Sequence, residues 1–216
     1  MGIFDGREYV ELKRGRIKAI ISHFGRDWFE RKQILELGCG HADMGNVFFL
    51  LGADVTVTDA REEHLDIIRE KYPWLKRVLC DLNSKDWPFE KNYDLILNMG
   101  TLYHLLEFEQ FLCNCLSNCR NMFLESVVSD SNVSDFVEYV QESGPDQSFT
   151  NVGSRPSVAN IERIIQKKGF SFERYFRKEL NTKESWFDWE PLFTGKCSRL
   201  VDENYVWLRR AWFCSK

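Results

Sequence analysis

The chain has no apolar run approaching the ~20 residues that a membrane-spanning helix needs. Its first residues, Met1-Gly2-Ile3-Phe4-Asp5, lack the basic-then-apolar pattern of a signal peptide. It has no surplus of positive charge: the net charge is -4 and the pI near 5.7. It therefore has no general attraction to polyanions, which disfavours a nucleic-acid partner. No repeat, low-complexity tract or linker divides the 216 residues, so one domain over 1–216 with a sizeable core is expected. Seven cysteines, odd in number and without repeated spacing, exclude a disulfide framework and fit reduced thiols in a cytoplasmic protein. Three of them form a C-x-C-x3-C cluster, Cys113, Cys115 and Cys119. On a helix, i and i+2 do not share a face, and no histidine or fourth cysteine sits at a zinc spacing. They read as small buried hydrophobes, and no metal is expected.

What is present is concentrated between Ile34 and Asp59. An apolar strand (Ile34–Leu37), a Gly38-Cys39-Gly40 turn, a helix over about 42–51 and a second strand (Asp54–Thr58) follow one another. Short continuous apolar runs suit parallel strands covered on both faces. A strand, a glycine turn and a helix start gather backbone N–H groups at the carboxyl edge of such a sheet. An acid about 20 residues further on, here Asp59, is placed to accept hydrogen bonds from ribose hydroxyls. An adenosine-containing cofactor is thus expected. A dinucleotide fingerprint requires a third glycine, and Asp43 stands at that position, where its charge would oppose a diphosphate. Glu36, two residues before the first glycine, suits a ligand bearing an ammonium group.

Glu36-x-Gly38-x-Gly40 with Asp59 resembles the nucleotide-binding motif of the class I S-adenosylmethionine-dependent methyltransferases. That resemblance spans about 34–214 and implies an α/β fold: a seven-stranded, mostly parallel Rossmann-like sheet flanked by helices, its last strand antiparallel. The remaining strands are expected at 77–80, 93–98, 121–128, 170–176 and 205–214. Helices are expected at 61–71, 105–116 and 157–168, the last capped by Ser157 and stopped at Gly169. Residues 6–29 read as an amphipathic helical cap on the sheet, part of an N-terminal cap over 1–33. From it Tyr9, Arg14 or Arg16 either reaches a cofactor carboxylate or serves packing and solvation. By the same resemblance S-adenosylmethionine is the cofactor. Glu36, Gly38, Cys39, Gly40, Asp59 and Ala60 hold it, Asp81 and Leu82 meet its adenine, and Asn98 and Met99 complete the site.

Asn98-Met99-Gly100-Thr101 departs from the Asn-Pro-Pro pattern of methyltransferases acting on exocyclic amines of bases. Tyr103-His104 resembles small-molecule members instead. His104 is the candidate general base and Tyr103 the residue that shapes or hydrogen-bonds the acceptor. Glu125 and Asp43 are alternative acids near the same edge. Trp186, Phe187 and Trp189 either wall an acceptor or belong to the core. Segments 129–156 and 177–204 are expected as substrate-lid insertions, the first too polar for core. The expected function is methyl transfer to a small-molecule acceptor at oxygen. The alternatives are a methyltransferase of tRNA or another nucleic acid, a non-catalytic cofactor-binding regulator and, more remotely, a nicotinamide-dependent reductase. The sequence gives no oligomeric state.

Overall fold

A computed structural model describes residues 6–89, 92–144, 147–201 and 203–216. The reading of Met1–Asp5 lies outside the described residues. Helix α1 (Arg7–Phe24) opens the chain and is followed by a tight turn, Arg26–Phe29. Then come β1 (Gln33–Leu37), α2 (Asp43–Leu50), β2 (Asp54–Asp59), α3 (Glu62–Lys71), β3 (Lys76–Leu79) and β4 (Tyr93–Met99). A 3-10 turn (Leu102–His104) leads to α4 (Phe108–Ser117) and β5 (Cys119–Val127). A hairpin of β6 (Val137–Gln141) and β7 (Val152–Pro156) precedes α5 (Val158–Lys167) and β8 (Ser171–Tyr175). Two short strands, β9 (Ser185–Trp186) and β10 (Ser198–Val201), lead to the long β11 (Asn204–Ser215).

The main sheet runs β3-β2-β1-β4-β5-β11, with β1 to β5 parallel and β11 antiparallel to β5. Strand β8 pairs with the C-terminal half of β11, while β9 and β10 extend its N-terminal half. The seven expected strands are all present, and β9 and β10 add to them. The strand order reverses between β1 and β4. Leu37 pairs with both Thr58 of β2 and Asn98 of β4, so three carboxyl ends line up on one edge.

The sheet forms because its strands are apolar on both faces. Leu35, Leu37 and Ile96 point into a layer with Leu112 and Leu116 of α4 and Ile161 and Ile165 of α5. Ile34, Leu95 and Leu97 point into the opposite layer with Leu12 and Ile20 of α1 and Phe48 of α2. Each such side chain contributes about 1.5–3 kcal/mol on leaving water. Cys115 and Cys119 are buried in the first layer, and all seven cysteines are free thiols. Among the described residues no helix is long and apolar enough to cross a membrane.

Segment 129–156 differs from its sequence reading. Its polarity argues against core, yet the segment buries Asp130, Glu142, Ser154 and Arg155. Their polar groups are matched by partners distant in sequence. Ser154 Oγ donates to Leu105 O (2.6 Å), and Asp130 accepts from Leu192 N, Thr194 N and Arg199 Nη2. A buried polar group is tolerated when it is hydrogen-bonded, and local hydrophobicity does not reveal such pairing.

Ser157 caps α5, its Oγ accepting from Asn160 N at 3.0 Å and donating to Val133 O at 2.7 Å. Ser157→Ala should lower unfolding free energy by about 1–2 kcal/mol. A urea denaturation midpoint equal to that of the wild type would refute the capping role.

Candidate active site

Past β1 the chain must turn sharply to enter α2, and Gly38 and Gly40 make the turn with φ of +59° and +54°. L side chains rarely adopt that left-handed region. A Cβ on Gly38 would stand 2.5 Å from Thr101 Oγ1, whose hydroxyl donates to Leu37 O at 3.0 Å. The turn after β1 is thereby packed directly on the turn after β4. Gly40 N donates to Asp59 Oδ2 and Arg61 N to Asp59 Oδ1, both at 3.0 Å, while His64 Nδ1 lies 3.1 Å from Oδ1. The acid at the end of β2 is thus held in one orientation beside the glycines.

A cavity of about 550 Å³ opens where these strand ends meet. Gly38, Gly40, Asp59 and Ala60 form one part of its wall, and Asp81 and Leu82 continue it beyond β3. Met99, Tyr103 and His104 line it after β4, and Glu8, Tyr9 and Arg16 of α1 face it from above the edge. Nine of the twelve residues expected from sequence are therefore on one wall.

Glu36, Cys39 and Asn98 do not line that cavity. Glu36 shares the β1 face of Ile34 and is covered by α2, where a Cβ on Gly45 would come within 2.5 Å of its Oε2. Burial raises its carboxyl to about 8, and neither oxygen has a side-chain partner among the described residues. The Cys39 side chain packs in the same layer. Asn98 is fully buried within β4, its amide without a hydrogen-bond partner among the described residues.

The alternative acids are already engaged. Asp43 starts α2, where burial pushes its carboxyl up but bonds from Lys13, Lys71 and Tyr72 outweigh this and hold it at about 2. Glu125, fully buried on β5, pairs with Arg16 of α1 and with Arg209 of β11 (2.6 Å). Burial alone would raise its carboxyl, yet the two guanidinium groups bring it below the usual carboxylate range. Among the described residues no group of three or more His, Cys, Asp and Glu is placed to hold a metal ion. Arg14 faces a separate groove with Lys18 and Arg177. Phe187 and Trp189 are core residues in opposite layers, and Trp186 packs against the layer that holds Trp189; none of the three lines the cavity.

At the other end of the edge, Tyr103 Oη accepts from Arg209 Nη2 at 3.1 Å, and Arg155 and Arg209 lie 4.8 and 5.1 Å from its ring centre. His104 Nδ1 lies 2.6 Å from Glu142 Oε2. Burial lowers the His104 pKa from 6.5, an effect the Glu142 carboxylate only partly offsets. Sequence reasoning missed Glu142, Arg155, Arg209 and Glu8. For Arg209 a signal existed: Arg209-Arg210 interrupts the apolar β11, and a charge there requires a buried partner. For Glu142 none did, since it lies 38 residues from His104 in a polar loop.

Residues 34–122 match the family described as "Methyltransferase domain". A histidine protein methyltransferase 1 homolog of Dictyostelium discoideum is 33% identical over 106 residues, covering 40% of this chain and 31% of that protein. Among solved structures, the N-terminal domain of EvdMO1 with SAH and D-fucose superposes with a TM-score of 0.68 at 16% identity. That match covers 98% of this chain and 84% of the other. Magnesium protoporphyrin IX methyltransferase from Synechocystis PCC 6803 with bound SAM gives 0.61 at 13% identity, over 96% and 81%. A 1,6-didemethyltoxoflavin-N1-methyltransferase of Burkholderia thailandensis gives 0.58 at 14%, over 95% and 78%. The fold is that of the class I, Rossmann-like methyltransferases, and the matched methyltransferase domain begins at β1 and runs into β5.

Glu36 supplies a test of this geometry. Its folded pKa of about 8 exceeds the ordinary 4.5, so between these values the native state binds the extra proton and stability falls as pH rises. Glu36→Gln should therefore gain melting temperature relative to wild type from pH 5 to pH 8.5. A difference that does not change with pH would contradict the buried, neutral acid.

Proposed function

We propose that the chain transfers a methyl group from S-adenosylmethionine to a small-molecule acceptor, at oxygen. The observation that carries this reading is the single cavity joining the Gly38–Gly40 turn and Asp59 to Tyr103 and His104. The donor set fits the cofactor. Asp59 keeps lone pairs for ribose hydroxyls after accepting two backbone N–H groups. Asp81 and Leu82 stand where the adenine would lie. Arg16 is 1% exposed and lines the cavity, with Nε and Nη1 lacking hydrogen-bond partners among the described residues. Those donors suit the cofactor carboxylate. Glu8, whose buried Oε2 has no partner among the described residues, takes the ammonium role expected of Glu36.

When bound, the cofactor supplies a sulfonium methyl, an electrophile that carries its own leaving group. The protein's work is then to align the acceptor, exclude water and receive a proton. His104, neutral at pH 7, receives the proton, and Tyr103 hydrogen-bonds or shapes the acceptor. Segment 129–156 acts as a lid, its Ser148, Phe149 and Arg155 on the cavity wall, and 177–204 contributes Thr182 and Ser185. The small-molecule class is supported by the fold neighbours, one solved with D-fucose and the others methyltransferases of magnesium protoporphyrin IX and 1,6-didemethyltoxoflavin. Free thiols throughout suit a reducing cytoplasm.

Calorimetry with S-adenosylhomocysteine should register binding, and Asp59→Ala should weaken it about tenfold or more, some 1.4 kcal/mol. An unchanged dissociation constant would refute the ribose role, and no heat with wild type would end the reading. His104→Ala should lower labelled-methyl transfer into an acceptor pool on the order of 100-fold without altering that constant. Turnover near wild type would eliminate His104 as base.

A further inference from the structure

His104 is not free to choose its orientation. Its Nδ1 meets Glu142 Oε2 at 2.6 Å, and both oxygens of that carboxylate are fixed from elsewhere. Ser148 N donates to Oε2 at 2.8 Å, and Arg155 Nη2 donates to Oε1. Arg155 also donates through Nη1 to Tyr103 O, so the β6–β7 hairpin grips both residues of the turn after β4. The side chains of Glu142 and Arg155 are each 3% exposed. A carboxylate held in this way keeps the proton on Nδ1 and leaves Nε2 as the acceptor. Burial keeps Glu142 from being an easy anion, but the bonds from His104 and Arg155 hold it at about 2, ionised at any working pH.

We propose that Glu142 is a positioning residue that fixes His104 with Nε2 unprotonated, and that the acceptor's reacting group is therefore a hydroxyl that arrives protonated. This rests on the methyl-transfer reading above and narrows its acceptor. A carboxylate acceptor is already a nucleophile at neutral pH and has no proton to give; a hydroxyl has one. As the oxygen–carbon bond forms, the carbon–sulfur bond breaks with its electron pair remaining on sulfur. The hydroxyl proton passes to His104 Nε2, and the imidazolium keeps its Nδ1–H on Glu142 until Nε2 releases its proton to water. The charged and titratable groups facing His104 are Glu142 from the end of β6, Arg155 from β7, Arg209 from β11 and its neighbour Tyr103.

The test is nitrogen-15 NMR of the four histidines, His104 being identified by its loss in His104→Ala. Wild type should show Nδ1 protonated and Nε2 bare near pH 7.5, with or without S-adenosylhomocysteine. In Glu142→Gln the fixed tautomer should be lost, the His104 midpoint should fall, and the acidic limb of kcat should move to lower pH. Turnover of a hydroxyl acceptor should drop on the order of tenfold or more, with the S-adenosylhomocysteine dissociation constant within about twofold. An Nδ1 without a proton in wild type overturns the proposal without any variant, and so does a Glu142→Gln titration identical to wild type. Methylation of carboxylic acids in preference to matched alcohols overturns the acceptor class. If wild type binds no S-adenosylhomocysteine, the methyl-transfer reading fails, while the ligand-free titration still judges the pair.

Discussion

One carboxylate ties the two ends of the chain to the middle of the sheet. Glu125 sits fully buried on β5 between Arg16 of the first helix and Arg209 of the last strand. Moving an ion into a protein interior costs several kcal/mol, and only close partners with satisfied hydrogen bonds offset it. Two guanidinium groups around one carboxylate meet that requirement for the acid, and they leave one positive charge in excess at the cavity. Arg16 carries the donors of that arrangement that have no partner among the described residues. Arg209 passes its orientation on, since it also donates to Tyr103 Oη and, through Nε, to Ser185 Oγ. The position of α1 over the sheet edge, the placement of β9 and the tilt of Tyr103 thus share one electrostatic origin.

The two ends of the cavity are built differently. On the side of β1, β2 and β3 the wall is made of strand ends and backbone: two glycines at positive φ and an aspartate pinned by neighbouring N–H groups. Parallel pairing fixes β1 and β2 of this wall on both sides, and β3 on one. On the side of β4, β5 and β11 the wall is made of long side chains. Arg155, Arg209, Tyr103 and His104 orient each other, and two of their supports, Glu142 and Arg155, come from the β6–β7 hairpin outside the main sheet. The strand-built end is suited to one fixed ligand and the side-chain-built end to whatever acceptor the insertions define.

This difference also decides what was legible in the sequence. The apolar strands, the glycine turn, Asp59, the Ser157 cap and the edge position of His104 are local patterns, and the structure places them as read. The burial of Glu36 was not legible, because motif spacing does not say which face of β1 a side chain takes; the pleat turns it under α2. The aromatic residues at 187 and 189 read equally as wall or core, and only the return of β11 puts them in the core. Glu142 left no trace, because its meaning arises from a hairpin register that sets Glu138 opposite Arg155 and brings the strand end beside the turn after β4. Interactions among residues 13 to 109 positions apart, such as Glu142–Arg155 and Arg16–Glu125, are created by topology rather than announced by composition.

Charges of both signs line the cavity along the carboxyl edge. Asp81 and Asp59 stand beyond β3 and β2, the glycine turn and Met99 lie at the strand-order reversal, and Arg209 and Arg155 follow toward β11. In a partly enclosed cavity such charges act more strongly than in water, because the dielectric is lower and the groups cannot reorient. Arg61 beside Asp59 and Glu184 beside Ser185 line the same cavity, so a ligand lying along the edge meets both signs of charge. The guanidinium groups of Arg155 and Arg209 stand fixed beside the Tyr103 ring before any ligand arrives. Those arginines stay charged while buried because Glu125 and Glu142 pair with them, so the acids that offset the burial of the cations also fix their place on the cavity wall.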